Sequence, residues 1–273
     1  MPFVQLKDLK LYYEVYGEGP PFLFISETAC HGEVWKPYQV PEFSRDHRVI
    51  IYDQRGTGRT DKPTAEYTTK TLAADAVSLL DHLGAEQAIV YGHSMGGRVA
   101  QLVALDDPQK VKKLILASSG ASHPTGGIPL KMCMELVGKG YERYARDHAI
   151  RIGFTEKFVR EHPEQVEKFL EIRLANLPPL ECYLLHVIAR QAHDTSQRLK
   201  DIRVPTLIMV GDDEAKTTSD ISHWTSAEIL ARGIPDAKLV VFPDSGHYYF
   251  FARPEATNQA IRDFLKEALP GCL

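Results

Sequence analysis

The chain has 273 residues, of which 32 are basic and 36 acidic, giving a formal net charge of −4. This length suits one catalytic domain with an insertion, or two small domains, and allows a sizeable buried core. No basic run stands out, so the composition does not favour a nucleic-acid partner. The longest apolar runs are strand-sized and too short to span a bilayer, which argues against a membrane protein.

The four cysteines are far apart and show no Cys-x-x-Cys spacing; they are Cys30, Cys133, Cys182 and Cys272. This pattern favours free thiols in a reducing compartment over a zinc site or a disulfide scaffold. The first ten residues have no basic segment followed by an apolar stretch, so no signal peptide is predicted. We therefore expect a cytoplasmic protein without a metal, and the sequence leaves open whether it is a monomer or a homodimer.

Short apolar runs alternate with helical patterns, which is typical of a mostly parallel sheet covered by helices on both faces. Eight strands are predicted, at residues 3–7, 11–16, 22–26, 48–52, 88–91, 111–117, 206–210 and 238–242. The first two are expected to form an antiparallel hairpin. Helices are predicted at residues 71–83, 95–105, 218–231 and 255–268.

One long segment, residues 122–203, contains no convincing strand. Its pattern is charged and helical, and it lies between the strands predicted at 111–117 and 206–210. An insertion of this size in one loop predicts a helical cap over the carboxyl edge of the sheet, where open α/β sheets bind ligands. The alternative is a helical layer that touches no substrate. The expected division is a core of residues 1–121 and 204–273 and a cap of residues 122–203.

Ser94 lies at the centre of the segment Gly92-His93-Ser94-Met95-Gly96. A Gly-x-Ser-x-Gly match alone is weak, because about one chain in ten of this length would contain one by chance. Here the match follows the apolar run AIVY and opens the helical pattern MGGRVAQLVAL, which is the strand–turn–helix setting of a nucleophile elbow. Ser94 is therefore the predicted nucleophile. His93 is interpreted as structural, with its side chain directed away from the catalytic face.

His247 follows the last predicted strand and precedes the last predicted helix. It is the predicted base, which takes the Ser94 proton and later returns it to the leaving group; the alternative is a capping histidine in a loop. The triad acid is expected after the strand at 206–210, where Asp212, Asp213 and Glu214 are adjacent. The chain order of serine, acid and histidine is the one that this strand–turn–helix setting uses.

Four segments resemble the α/β-hydrolase family, over nearly the whole chain: the strand with the Ser94 elbow, VPTLIMVGDDE, DSGH and the turn YDQRGTGRTDKP. The resemblance implies the α/β-hydrolase fold, with an eight-stranded sheet and a helical cap insertion. Family members most often have Asp third after the glycine that ends the acid-bearing strand. Glu214 holds that position here, as in certain lactonases, so the resemblance favours Glu214 and leaves Asp213 as the alternative.

The oxyanion hole needs two backbone donors, each worth on the order of 10²–10³ in rate. One is expected to be the amide of Met95, directly after the nucleophile. The other is expected from the loop after the strand at 22–26, where family members usually have His-Gly. Ser26 and Glu27 occupy those positions, so Thr28 is the predicted second donor.

The leading hypothesis is hydrolysis of a carboxylic ester or lactone through an acyl-enzyme, with no cofactor and a small-molecule substrate. The alternative within catalysis is C–C bond hydrolysis of a vinylogous diketone by the same triad. A non-catalytic hydrolase-fold receptor or binding protein is the alternative from another class. Trp224, Met132 and Tyr248 are predicted to line the pocket. Their apolar character favours a small or medium uncharged acyl substrate.

Overall fold

The computed structural model describes residues 2–123, 128–213 and 222–267. Within these ranges an eight-stranded sheet runs in the order β1-β2-β4-β3-β5-β6-β7-β8. The pairs β1–β2 and β2–β4 are antiparallel and the remaining pairs are parallel, so the predicted mostly parallel sheet is confirmed. The strands are β1 (Phe3–Gln5), β2 (Lys10–Tyr16), β3 (Pro21–Ile25), β4 (Arg48–Tyr52), β5 (Ala88–His93), β6 (Val111–Ala117), β7 (Thr206–Gly211) and β8 (Lys238–Phe242).

The helices of the described ranges surround this sheet. They are α1 (Gln39–Phe43), α2 (Thr69–His82), α3 (Met95–Asp106), α4 (Leu130–Lys139), α5 (Tyr141–Gly153), α6 (Glu156–Glu161), α7 (Pro163–Ala175), α8 (Leu180–Gln191), α9 (His223–Gly233), α10 (Tyr249–Ala252) and α11 (Pro254–Lys266). The helices predicted at 71–83 and 95–105 correspond to α2 and α3. The predicted start of the third helix at 218 and the predicted end of the fourth at 268 lie outside the described residues.

Side chains of the central strands alternate between two apolar layers, as the two-residue period of a strand requires. In β3, Leu23 and Ile25 join the layer that holds α2, α3 and α9, whereas Phe22 and Phe24 join an aromatic layer on the other face. That second layer packs against α1, α10 and α11. Because helices cover both faces, β5 and β7 are buried along their whole length.

The five helices α4 to α8 form an insertion between β6 and β7. The two ends of this insertion pair with each other, since Ser122 and Asp194 form an isolated antiparallel bridge. After that bridge, Leu199 and Ile202 already belong to the apolar layer under the sheet. The division into a core and a cap with a boundary at residue 203 stays a prediction.

The insertion contacts a loop at the carboxyl edge of the sheet. The amides of His247 and Tyr248, in the loop after β8, each donate at 2.9 Å to carbonyls of Ile152 and Gly153 at the end of α5. Among the described residues, no helix is both long and apolar enough to cross a bilayer. Three of the cysteines are free thiols, and Cys272 lies outside the described residues.

The end of α11 is held by a lysine from the sheet. Lys113 of β6 is buried, and its Nζ donates to the carbonyls of Phe264, Leu265 and Glu267 at 2.7, 3.0 and 2.8 Å. These carbonyls lie at the carboxyl end of the helix, where few backbone donors are left; the Phe264 carbonyl also accepts from the amide of Glu267 at 3.3 Å. The ammonium therefore satisfies the carboxyl end of α11 and joins it to the central sheet.

Replacing this lysine should destabilise the protein. Lys113→Met removes three charge-assisted hydrogen bonds and leaves the carbonyls of Leu265 and Glu267 without their lysine donor, so we expect a loss of about 1–3 kcal/mol in the free energy of unfolding. Urea unfolding followed by circular dichroism measures this. Lys112→Met, at the exposed neighbouring position of β6, is the matched control. Equal stability of the two variants would contradict the role assigned to Lys113.

Candidate active site

Ser94 stands between β5 and α3 in a strained backbone conformation, with φ 54° and ψ −114°. A positive φ at a residue with a side chain costs on the order of 1–3 kcal/mol, so the surroundings must hold it. The Ser94 amide donates to the carbonyl of Ala117 at 2.8 Å. The Ser94 carbonyl accepts from the amide of Gly97 at 3.1 Å and from Ser119 Oγ at 2.7 Å. These bonds hold the turn at the amino end of α3.

Two glycines allow α3 to approach the strands closely enough to form this turn. A Cβ at Gly92 would lie 2.3 Å from the carbonyl oxygen of Gly96, and a Cβ at Gly96 would lie 2.2 Å from that of Ile25. Both distances are shorter than a non-bonded contact can be. The elbow geometry therefore depends on glycine at both positions.

His247 is buried at the same cavity that Ser94 lines. Its ring centroid lies 4.6 Å from that of His93 and 4.5 Å from that of His223. His93 itself does not line the cavity, and its ring packs against the rings of His247 and Phe250. Burial, and then the neighbouring His247, lowers the pKa of His93 well below its usual value, so His93 is a neutral packing group behind the base.

The candidate acids lie in the loop after β7. Glu214 lies outside the described residues. Asp213 is partly buried, and its amide donates to the carbonyl of Ser245 at 3.0 Å. The neighbouring Asp212 accepts from the amide of Ser245 at 3.1 Å through Oδ1. These bonds tie the acid loop to the loop that carries His247, and the identity of the triad acid stays a prediction.

The loop after β3 carries Thr28, which lines the cavity; Met95, the other predicted oxyanion donor, is buried at the start of α3. A residue of the insertion holds this loop in place. The amide of Ala29, at φ 53°, donates to Nδ1 of His186 at 3.2 Å. Because Nδ1 accepts, Nε2 carries the proton and donates to the carbonyl of Arg55 at 2.8 Å. Burial lowers the pKa of His186 to about 4.

Glu27 is a site residue whose role the sequence did not indicate. Its carboxylate is buried, and Oε1 accepts from Nε of Arg173 at 2.7 Å and from the hydroxyl of Tyr248 at 3.0 Å. Its other oxygen lies 3.8 Å from Nε2 of His247. Arg173 also donates to the carbonyl of Thr28 at 3.2 Å. The Glu27–Arg173 ion pair thus links α7 of the insertion to the predicted oxyanion loop.

Among the described residues, Glu27, His93 and His247 place potential metal-ligand atoms within 4.8 Å of one another. The Glu27 carboxylate is already neutralised by the Arg173 guanidinium and accepts from Tyr248. A divalent cation there would be repelled by the arginine and would occupy the atoms of the candidate base. The donor set therefore fits an acid–base site better than a metal centre.

The cavity encloses about 460 Å³, which is within the usual range for small-molecule sites. Met132 and Tyr248 line it, together with Ser94, Thr28 and His247. Trp224 does not line it. The side chain of Trp224 packs against the apolar layer under the sheet, whereas other residues of α9, His223 and Ser226, line the cavity. The three-to-four residue period of a helix places Trp224 on a different face from these two.

A sequence profile of the alpha/beta hydrolase fold family matches residues 20–254. The chain belongs to the α/β-hydrolase family. It is 30% identical to the putative carbamate hydrolase RutD of Azorhizobium caulinodans, over 98% of this chain and 99% of that protein. The solved α/β-hydrolase structures that it resembles include two enzymes named for ester or lactone chemistry, and these are more than 25% identical.

One is Est816, described as an N-acyl homoserine lactone degrading enzyme, with 29% identity, a TM-score of 0.82 and coverage of 96% of this chain and 100% of that one. The other is a thermophilic esterase from Thermogutta terrifontis, with 28% identity, a TM-score of 0.82 and coverage of 97% of each chain. These similarities support a hydrolase with the α/β-hydrolase fold.

The low pKa of His186 makes an acid-dependent contribution to stability. An unfolded histidine titrates near ~6.5, so between that pH and about 4 the unfolded chain binds a proton that the folded chain does not. The contribution of His186 to the free energy of unfolding is therefore fully present above about pH 6.5. As the pH drops below that value, this contribution falls by up to about 1.4 kcal/mol per pH unit. In His186→Gln the part of the pH dependence of the free energy of unfolding that comes from this histidine should vanish.

Urea unfolding at intervals from pH 7 to pH 4 measures that slope. His162→Gln, at an exposed position between α6 and α7, is the control and should keep the slope of the parent protein. An unchanged slope in His186→Gln would show that His186 is protonated in the folded protein.

Breaking the buried ion pair should destabilise the fold strongly. Glu27→Met leaves the Arg173 charge buried without a counter-charge, so we expect a loss of about 3–5 kcal/mol in the free energy of unfolding. Adding Arg173→Met removes that charge and should restore part of the loss, which a double-mutant cycle in urea measures. Asp244→Asn breaks an exposed ion pair with Lys157 and should change stability little. Additive effects at Glu27 and Arg173 would argue against their pairing.

Proposed function

We propose that the chain hydrolyses carboxylic esters or lactones through an acyl-enzyme formed on Ser94. The observation that carries this proposal is the convergence of Ser94, His247 and Thr28 on one cavity at the carboxyl edge of the sheet. Ser94 stands directly before the first residue of α3, so the positive end of the helix dipole faces the position where negative charge develops. The names of the ester- and lactone-cleaving relatives support the same reaction class.

In this mechanism His247 removes the Ser94 hydroxyl proton as Oγ attacks the substrate carbonyl carbon. The carbonyl oxygen becomes an oxyanion that accepts hydrogen bonds from the amides of Met95 and Thr28. The C–O bond to the leaving group then breaks, and the leaving alkoxide takes the proton from the imidazolium of His247. A lactone opens in the same step, and its alkoxide stays attached to the acyl group.

Deacylation repeats these steps with water. His247 takes a proton from water as the water oxygen attacks the acyl carbon, and the proton passes to Ser94 Oγ as the ester bond to the enzyme breaks. The product is a carboxylic acid, and the enzyme returns to its starting state. Glu214 is the proposed acid that orients the imidazole and stabilises its cationic form, with Asp213 as the alternative.

The neighbouring Glu27 carboxylate bears on this mechanism. Its Oε2 lies 3.8 Å from Nε2 of His247, so the carboxylate borders the ring that is proposed to take the Ser94 proton. The negative charge of Glu27 would disfavour an oxyanion nearby. The paired Arg173 guanidinium offsets that effect, because it also contacts the Thr28 carbonyl. The ion pair is thus compatible with a negatively charged intermediate.

A screen of p-nitrophenyl esters, lactones and carbamates tests the proposal. Ser94→Ala should lower kcat/KM for any cleaved compound by about 10⁴–10⁶-fold, because the nucleophile is lost. A fluorophosphonate probe should label the parent protein at Ser94. Ser78→Ala, at an exposed position of α2, is the control and should keep full activity.

Any compound that the parent protein cleaves in this screen also tests which residue is the triad acid. Glu214→Gln should lower kcat for that compound more than Asp213→Asn. Absence of turnover on every compound, with Ser94 unmodified by the probe, would overturn the proposed function.

A further inference from the structure

Two arginines of the cavity lining, Arg98 and Arg190, lie close together without a carboxylate partner among the described residues. The Arg98 guanidinium donates to the carbonyl of Arg190 at 3.3 Å. Arg190 Nη1 donates to the hydroxyl of Thr28 at 3.3 Å, and its buried Nε has no hydrogen-bond partner. Burial, and then the charge of Arg190, lowers the pKa of Arg98 to about 9.

The other arginines of the cavity are matched by carboxylates. Arg173 pairs with Glu27 at 2.7 Å, and Arg151 lies 3.4 Å from Glu135. After this pairing, a positive charge remains on the wall formed by Arg98 and Arg190. Arg98 is buried and Arg190 is partly buried, and two neighbouring guanidinium groups in such a setting destabilise a folded protein when they lack a counter-charge. A ligand that supplies the missing negative charge would relieve that cost.

This wall lies beside the proposed reaction centre. Arg98 is four residues after Ser94, so it lies about one turn along α3 from the nucleophile. Arg190 contacts Thr28, whose amide is the proposed oxyanion donor. The two arginines come from different parts of the fold, α3 of the core and α8 of the insertion. An anion bound between them would be anchored within the cavity that holds the scissile carbonyl.

We propose that Arg98 and Arg190 bind a free carboxylate of the substrate, so that the preferred substrate is an ester or lactone that also carries a carboxylate. The planar guanidinium fork matches a carboxylate with two parallel hydrogen bonds, which a desolvated wall strengthens. This inference rests on the proposed function of the same cavity. It replaces the uncharged acyl substrate that the apolar residues of the sequence suggested.

Matched substrates test the preference. Mono-p-nitrophenyl glutarate carries a carboxylate, and p-nitrophenyl valerate is an uncharged ester of the same acyl chain length. We expect the parent enzyme to show the higher kcat/KM with the glutarate. In Arg190→Gln the value for the glutarate should fall about 10- to 100-fold more than the value for the valerate, as the loss of a charge-assisted hydrogen bond predicts.

Arg98→Gln is the second variant and should show the same selective loss. Arg160→Gln removes an exposed arginine of α6 and is the control for the change in net charge. Equal losses on both esters would mean that the arginines only shape the site, and that result would overturn the inference. So would a parent enzyme that prefers the valerate.

A binding measurement separates this inference from the proposed hydrolysis. In the Ser94→Ala variant, titration calorimetry should give a higher affinity for monomethyl glutarate than for dimethyl glutarate. Adding Arg190→Gln should remove this difference in affinity. That result would support the carboxylate site even if no ester were hydrolysed. Equal affinity for both compounds, or inorganic phosphate binding as tightly as monomethyl glutarate, would overturn it.

Discussion

The close approach of α3 to the central strands determines where every part of the candidate site lies. With Gly92 and Gly96 at the crossing, the helix begins directly at the end of β5, and the chain must turn through a strained residue at Ser94. This turn directs the amino end of the helix at the cavity. The loops after β3 and β8 then supply Thr28 and His247 at the same edge, because parallel strands end on the same side of a sheet.

Charge in the cavity is organised around that edge. Glu27 brings a negative charge next to the candidate base, and Arg173 from the insertion balances it. Arg98 and Arg190 bring charge that the described residues do not balance. An arginine that pairs with a carboxylate of the protein forms a structural ion pair, whereas an arginine without such a partner is available to a ligand. On this criterion the insertion contributes both to the stability of the site and to the choice of substrate.

Much of this arrangement could be predicted because it follows from local sequence. The strands, α3, the Ser94 elbow and the histidine after β8 are each specified by a run of a few adjacent residues. The partnership of Glu27 with Arg173 could not be predicted, because the two are 146 positions apart and no pattern within either helix or loop indicates the other. Trp224 was wrongly predicted to line the cavity for another reason. Periodicity predicts that a side chain is buried, but the rotation of α9 decides what it contacts.

His186 has a further consequence, for the order in which the protein acquires activity. Its ring joins Ala29 of the core to α8, across 157 positions of sequence, and its Nε2 donates to the carbonyl of Arg55. Contacts between such distant segments form late, because a long loop must close before they can be made. The sheet can therefore be assembled while the loop with Thr28 is still without its support. We therefore expect the central sheet to form before the loop that carries Thr28 gains its support, so that docking of the insertion completes the site.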